Sequence, residues 1–135
     1  MTRAFGEIAP GEQIPRLSVV VTRGDLVRYA GAADDYVPQH WDRPFMIESG
    51  FPDVIVHGWL TFAHMCRSVE IWLPPERARM AQFSVRYLEP TFPGPIECGG
   101  VVVSRDSESI DLALYASDAN GNRTTTATMR MVPAG

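Results

Sequence analysis

The stretch opening at His57-Gly58 constrains this chain most. Trp59, Leu60, Phe62, Ala63, Met65 and Cys66 are apolar on nearly every side of a helix, which marks a buried helix rather than a surface one. It turns polar at Arg67 and Glu70 and must stop by Pro74-Pro75, because proline cannot continue a helix. The sequence then switches to period two. Phe83, Val85 and Tyr87 alternate with Gln82, Ser84 and Arg86, the pattern of a half-buried strand whose apolar side belongs to the core. Val101-Val102-Val103, Ile110-Leu112-Leu114 and Ala127-Met129-Met131 predict three more strands, joined through turns at 106–109 and 118–122. Residues 89–95 hold three prolines and a glycine and read as a loop or sharp bend.

Ahead of the apolar helix, Leu17 to Val21 reads as a short strand bounded by Pro15. Thr22-Arg23-Gly24-Asp25 matches a capping box, in which Thr22 and Asp25 satisfy free amides at a helix start. Leu26, Tyr29, Ala30 and Ala33 recur at helical spacing, and that helix ends before Pro38. Arg43 to Ser49 predicts another short helix closed by Gly50, followed by a turn at 51–53 and an apolar run, Val54-Ile55-Val56. The whole is an α+β layer architecture. An almost uniformly apolar helix needs a sheet curled around it, which is the hot-dog arrangement: an antiparallel sheet wrapped around a buried central helix. With 135 residues and no linker or repeat, a single domain over residues 1–135 is expected.

The net charge is −4, and all twelve basic residues are Arg, scattered without a stripe or tail. This argues against broad nucleic-acid binding, yet leaves room for an anionic small ligand held by a few guanidinium groups. No stretch reaches the roughly 20 apolar residues needed to cross a bilayer. The first ten residues lack the basic start and apolar run of a signal peptide, so no membrane contact and a cytoplasmic location are expected. Cys66 and Cys98 have no CxxC spacing and read as two buried free thiols. No cluster has metal-ligand spacing, and no metal is expected.

The polar segment Asp34-Asp35-Tyr36-Val37-Pro38-Gln39-His40-Trp41-Asp42 carries the chemistry. Asp35 and His40 would stand about 140° apart on a helix and face opposite ways on a flat strand. They converge only if the chain bends between them, and Pro38 supplies a bend while pushing Val37 towards an extended conformation. A converged Asp and His suit water: the imidazole exchanges protons near neutral pH, and a carboxylate can accept a proton from water and fix its direction. At His57-Gly58, first-turn amides lack internal partners and a glycine admits close approach to the backbone. The Gly58 amide is therefore a candidate oxyanion donor to a thioester carbonyl.

Asp35-Tyr36-Val37-Pro38-Gln39-His40, followed by Val54-Ile55-Val56-His57-Gly58-Trp59-Leu60-Thr61, resembles the signature of the MaoC-like (R)-specific enoyl-CoA hydratases and dehydratases. That pattern is Asp-x-Asn-Pro-x-His, then a His-Gly at the start of the central hot-dog helix. The resemblance extends over nearly the whole chain and implies that Asp35 and His40 add water across the double bond of a trans-2-enoyl thioester while the Gly58 amide polarises its carbonyl. It implies no cofactor beyond the CoA or phosphopantetheine carried by the substrate. It further implies a homodimer, or a heteromer with a second hot-dog chain. Val37 departs from the pattern's Asn, whose side chain can hold the turn by hydrogen bonds. An inactive acyl-thioester-binding subunit is the alternative that this departure suggests. A hot-dog thioesterase is another, although its usual helix carboxylate could only be Glu70, near the far end. The remaining polar and aromatic positions have plainer readings. Asp34 reads as a solvated neighbour or a helix-end residue, His57 as packing or hydrogen bonding at the helix start, His64 as a satisfied core histidine, and Trp41, Trp59 and Trp72 as packing.

Overall fold

The computed structural model describes residues 3–135. One antiparallel sheet in the order β1-β3-β4-β5-β2 is built from β1 (Gln13–Val21), β2 (Ala78–Tyr87), β3 (Gly94–Arg105), β4 (Ile110–Ser117) and β5 (Arg123–Pro133). Three helices, α1 (Arg23–Ala33), α2 (Arg43–Glu48) and α3 (Gly58–Trp72), lie between β1 and β2 in the chain. The central helix is α3, and it packs on β1, β3 and β4.

Period two puts Ile96, Cys98 and Val102 of β3, Ile110, Leu112 and Leu114 of β4, and Ala127, Met129 and Met131 of β5 on one face, all buried. Met65, Val69, Trp72 and Leu73 meet them from α3 and its end, forming one contiguous core. Register shifts occur in every strand pair, including β1 with β3 between Ile14 and Leu17 and β3 with β4 between Val102 and Ser104. Such irregularities bend strands and increase their twist, which lets a five-stranded sheet curl about a helix.

Several elements differ from their sequence reading, each for a physical reason. β1 starts at Gln13, not after Pro15, because it is an edge strand and the proline sits inside its bulge, where a missing N–H is tolerated. β3 starts at Gly94 and absorbs the end of the expected loop. Its Gly99-Gly100 pair hides the strand pattern, yet neither position has room for a side chain. A Cβ at Gly100 would meet the Ala113 carbonyl oxygen at 2.5 Å, and one at Gly99 would meet the Tyr115 ring.

Of the expected core residues of β2, Val85 packs against the core but Phe83 and Tyr87 do not lie in it. Phe83 and Tyr87 are 41% and 49% exposed. Their alternation is correct, since they pair with Met129 and Thr125 on the inner face, but β2 is an edge strand that α3 covers only in part, through Trp59 and Phe62 against Phe83. The central helix is likewise not buried all round. Trp59, Ala63, Arg67, Glu70 and Ile71 form an exposed stripe, and Trp59 meets Phe62 and Phe83 edge-on. The thiols also differ: Cys98 is buried, whereas Cys66 is only partly so.

Two helix ends set the entry to the site. Thr22 and Asp25 form both halves of the capping box on α1. That helix ends at Asp34 in the left-handed region (φ 53°), a conformation Asp tolerates better than most residues. The reversal at Asp34 releases Asp35 from the helix.

Candidate functional site

Asp35 leads into a short 3-10 turn, Pro38–His40. The His40 amide bonds the Val37 carbonyl at 3.0 Å, the Asp42 amide bonds the Pro38 carbonyl at 2.8 Å, and the Trp41 indole bonds the Tyr36 carbonyl at 2.7 Å. Asp35 Oδ1 accepts from the Val37 amide at 3.4 Å. These contacts hold the bend without any side-chain group from Val37. Trp41 is half-exposed, so its indole secures the turn rather than filling the core. Asp34 is the helix-end residue expected, and Trp72 is the packing residue expected.

The returning strand-like segment then fastens His40. The Ile55 amide donates to the Gln39 carbonyl at 2.8 Å, and His40 Nδ1 lies 2.6 Å from the Ile55 carbonyl. A carbonyl oxygen can only accept, so Nδ1 carries the proton and the lone pair of the neutral ring is on Nε2. That Nε2 faces Asp35 Oδ2 at 3.7 Å and the Gln39 side-chain nitrogen at 3.3 Å. The His40 side chain is 6% exposed, while that of Asp35 is 39% exposed. The pair that the sequence places five residues apart therefore converges, with Asp35 towards solvent and His40 inward.

His57 closes the site from below. Its ring stacks on His40 with centroids 3.7 Å apart and planes 18° apart, and Tyr29 of α1 packs against it at 4.7 Å. His57 Nε2 lies 3.4 Å from the Asp35 backbone carbonyl and so is the protonated nitrogen. Nδ1 is buried without a partner among the described residues. Burial, and then the neighbouring His40, hold the His57 imidazole below its ordinary pKa. Burial does the same for His64, which is only partly buried rather than a core residue. Asp35, His40 and His57 bring ligand-type atoms within 4.8 Å of one another. The two stacked rings nevertheless aim their in-plane lone pairs side by side, not at a common point, and His57 Nε2 is engaged as a donor.

α3 begins at Gly58 with His57 as its N-cap and no side-chain cap. The Leu60 and Thr61 amides reach the His57 carbonyl, and among the described residues the Gly58 amide has no partner. Gly58 borders a cavity of about 380 Å³ lined also by Gln39, His40, Thr61 and Tyr87, with apolar walls that include Ile55 and Trp59. Asp35 is not among the residues lining it, and its carboxylate lies 3.7 Å from His40 Nε2. A Cβ at Gly58 would lie 2.6 Å from the Tyr87 ring, so the glycine is needed here for a tyrosine to rest against the helix start.

The structure thus brings His40 and Gly58 onto one cavity and sets Asp35 3.7 Å from His40 Nε2, which the Gln39 side chain also approaches. Sequence reasoning missed Gln39, Tyr87 and the histidine stack. Gln39 could have been suspected as the neighbour of His40. Nothing local points to Tyr87, which arrives from β2.

A sheet curled about a central helix, with an Asp-His pair beside that helix's uncapped start, defines a hot-dog domain. Among similar solved structures are the R-hydratase PhaJ1 of Pseudomonas aeruginosa (TM-score 0.88, 17% identity, 96% of this chain and 84% of that one) and an (R)-hydratase of A. caviae involved in PHA biosynthesis (TM-score 0.86, 21% identity, 93% and 97%). The ChsH1–ChsH2 complex of Mycobacterium tuberculosis is also similar (TM-score 0.84, 21% identity, 93% and 98%). Protein MaoC of Klebsiella aerogenes is 31% identical over 91 residues, covering 67% of this chain and 27% of that protein. The chain therefore spans about a quarter of that curated relative. Residues 7–109 match the MaoC-like domain family, and the chain belongs to it. No helix among the described residues is long and apolar enough to cross a membrane.

Two predictions follow from this geometry. Gly58→Ala should destabilise the wild-type fold by about 1–3 kcal/mol through overpacking, and much less in a Tyr87→Ala background. A double-mutant cycle in denaturant reads the difference, and equal costs in both backgrounds would show that the ring is no obstacle. The second concerns pH. His57 and His64 take up protons less readily folded than unfolded, so their contribution to stability is intact above the ordinary pKa of 6.5 and declines as pH falls below it. His57→Phe should flatten that decline in melting temperature between neutral and mildly acidic pH.

Proposed function

We propose that the chain is a hydratase of enoyl thioesters, adding water to a trans-2-enoyl-CoA or carrier-protein thioester to give the (R)-3-hydroxyacyl product, or catalysing the reverse dehydration. One observation carries this reading. The bond from His40 Nδ1 to the Ile55 carbonyl turns the basic Nε2 towards Asp35, on a cavity shared with the free Gly58 amide. At a separation of 3.7 Å, one water can donate a hydrogen to each group. As the water oxygen bonds to the β-carbon, His40 Nε2 takes one of its protons and the C=C electron pair moves to the α-carbon and thioester oxygen. The Gly58 amide donates to that oxygen where negative charge develops. The imidazolium then returns the proton to the α-carbon, with Asp35 stabilising the transient positive charge. Nothing is oxidised or reduced, so the only carrier needed is the thiol bearing the acyl group.

The membership in the MaoC-like family and the similarity to (R)-hydratases support this chemistry. A thioesterase is less well supported, because Glu70 lies on the exposed stripe and borders a separate apolar pocket with Cys66 and Met129. Loss of the conjugated enoyl-thioester absorbance measures hydration directly. His40→Ala and Asp35→Asn should each lower turnover by about 10²- to 10⁴-fold. Full turnover in both variants would sink the assignment.

Pairing is part of the same proposal. The unpaired side of β2 and the apolar strip formed by Trp59, Phe83 and Met80 leave an edge that a second hot-dog chain can extend. That chain is either an identical copy or a different one, and similarity to the ChsH1–ChsH2 complex supports the second form. Light scattering on the purified chain should give a dimer if copies pair, and association only on adding another hot-dog chain if they do not. A monodisperse monomer that stays so with every such chain would refute pairing.

A further inference from the structure

His57 is one of two residues, with Thr61, that bury a side-chain polar atom without a partner among the described residues, and packing alone does not explain its ring. A phenylalanine would fill the same space between Tyr29 and His40 without burying an unpartnered nitrogen, and an unpaired buried polar atom is costly. Two contacts distinguish the imidazole. Its face lies parallel to His40 at 3.7 Å, and its Nε2–H reaches the backbone carbonyl of Asp35 at 3.4 Å. Through these it touches both members of the pair, while as the N-cap of α3 it is covalently joined to Gly58.

We propose that His57 is a positioning residue: its ring face fixes the plane of His40, and its Nε2–H anchors the backbone that presents Asp35, locking both to the start of α3. This rests on the hydratase reading for its consequence in turnover, but its structural content can be tested without it. His40 is free to rotate only about its side-chain bonds. The Ile55 carbonyl holds one ring nitrogen, but that single bond leaves the ring able to swivel, and a wide swivel breaks the very bond that fixes the tautomer. The parallel face of His57 removes that swivel, so Nε2 points at Asp35 and the cavity. His57 takes no proton from water or substrate, since Nε2 already carries one and its lone-pair nitrogen, Nδ1, is buried out of reach of the cavity's water.

Three variants of the full-length chain separate the contacts. His57→Phe keeps the stacking face and loses the anchor, His57→Gln keeps a donor and loses the face, and His57→Ala loses both. The first readout is nitrogen-15 long-range NMR of the histidine rings. In the native chain and in His57→Phe, His40 should be a single tautomer protonated at Nδ1; in His57→Gln and His57→Ala it should average between tautomers. The second readout is steady-state hydration, corrected for the folded fraction. Misplacing a reacting group is costly, so His57→Ala should lower kcat roughly ten- to a hundredfold with KM little changed. His57→Phe should fall between Ala and the native enzyme.

A merely structural histidine would lower the melting temperature while leaving the His40 tautomer and the kcat of folded molecules as they were. That result in His57→Ala would overturn the proposal, as would loss of the single His40 tautomer in His57→Phe. Absence of enoyl-thioester turnover in the native chain would refute the hydratase reading, while the NMR comparison would still decide the role of His57.

Discussion

The structure depends on how far five strands can cover one helix. α3 carries an apolar face that cannot be left in water, and β1, β3 and β4 cover that face while the stripe through Trp59 and Glu70 stays exposed. Antiparallel strands lie about 4.8 Å apart and accumulate twist, so a sheet this size curls round only part of a helix before its edge swings clear. β2 is that edge. Trp59 on the helix and Phe83 on the strand consequently face each other at a rim rather than across a core. The same constraint that buries Met65 and Val69 leaves the rim open, and the cavity beside Gly58 is at the rim's upper end, where Tyr87 and Trp59 both border it.

A helix so enclosed also has an unusual beginning. Most helix starts are capped by a side chain or by water, as α1 is by Thr22 and α2 is by Asp42. α3 has no side-chain cap. Its first residues are packed under the segment that carries Asp35 and His40, and that segment is held by backbone bonds from Ile55. The free amide and the fixed imidazole are thus consequences of one crossing, in which residues 54–56 tie the 3-10 turn to the helix that immediately follows them. Chemistry placed there inherits the rigidity of the core without being buried in it.

How much of this the sequence discloses follows from the range of each interaction. The capping box, the end of α1 before Pro38 and the period-two strands are local, and each was legible. So was the convergence of Asp35 and His40, because a proline between two functional residues restricts how they can be joined. Burial of β2 was not legible. Phe83, Val85 and Tyr87 alternate just as a core strand would, and only the strand order reveals that they lie at the sheet's edge. The two glycines of β3 obscured its extent for a similar reason: the close approach of Ala113 and Tyr115 that requires them is made by the neighbouring strand. The histidine stack is harder still, since a ring's plane depends on backbone direction at both His40 and His57.

Val37 shows how a departure from a family pattern can be absorbed. An Asn at this position can brace a turn through its side chain, and Val cannot. In its place the turn uses the Asp35 carboxylate on the Val37 amide, the Trp41 indole on the Tyr36 carbonyl, and the Val37 carbonyl itself on the His40 amide. One of those substitutes has a chemical consequence. Asp35 Oδ1 meets the loop's own backbone at 3.4 Å, a long contact that biases the carboxylate's rotation and leaves Oδ2 as the oxygen facing His40. Bracing the turn and aiming the acid thereby become functions of a single side chain, and the loss of the asparagine is coupled to the orientation of the group it would have stood beside.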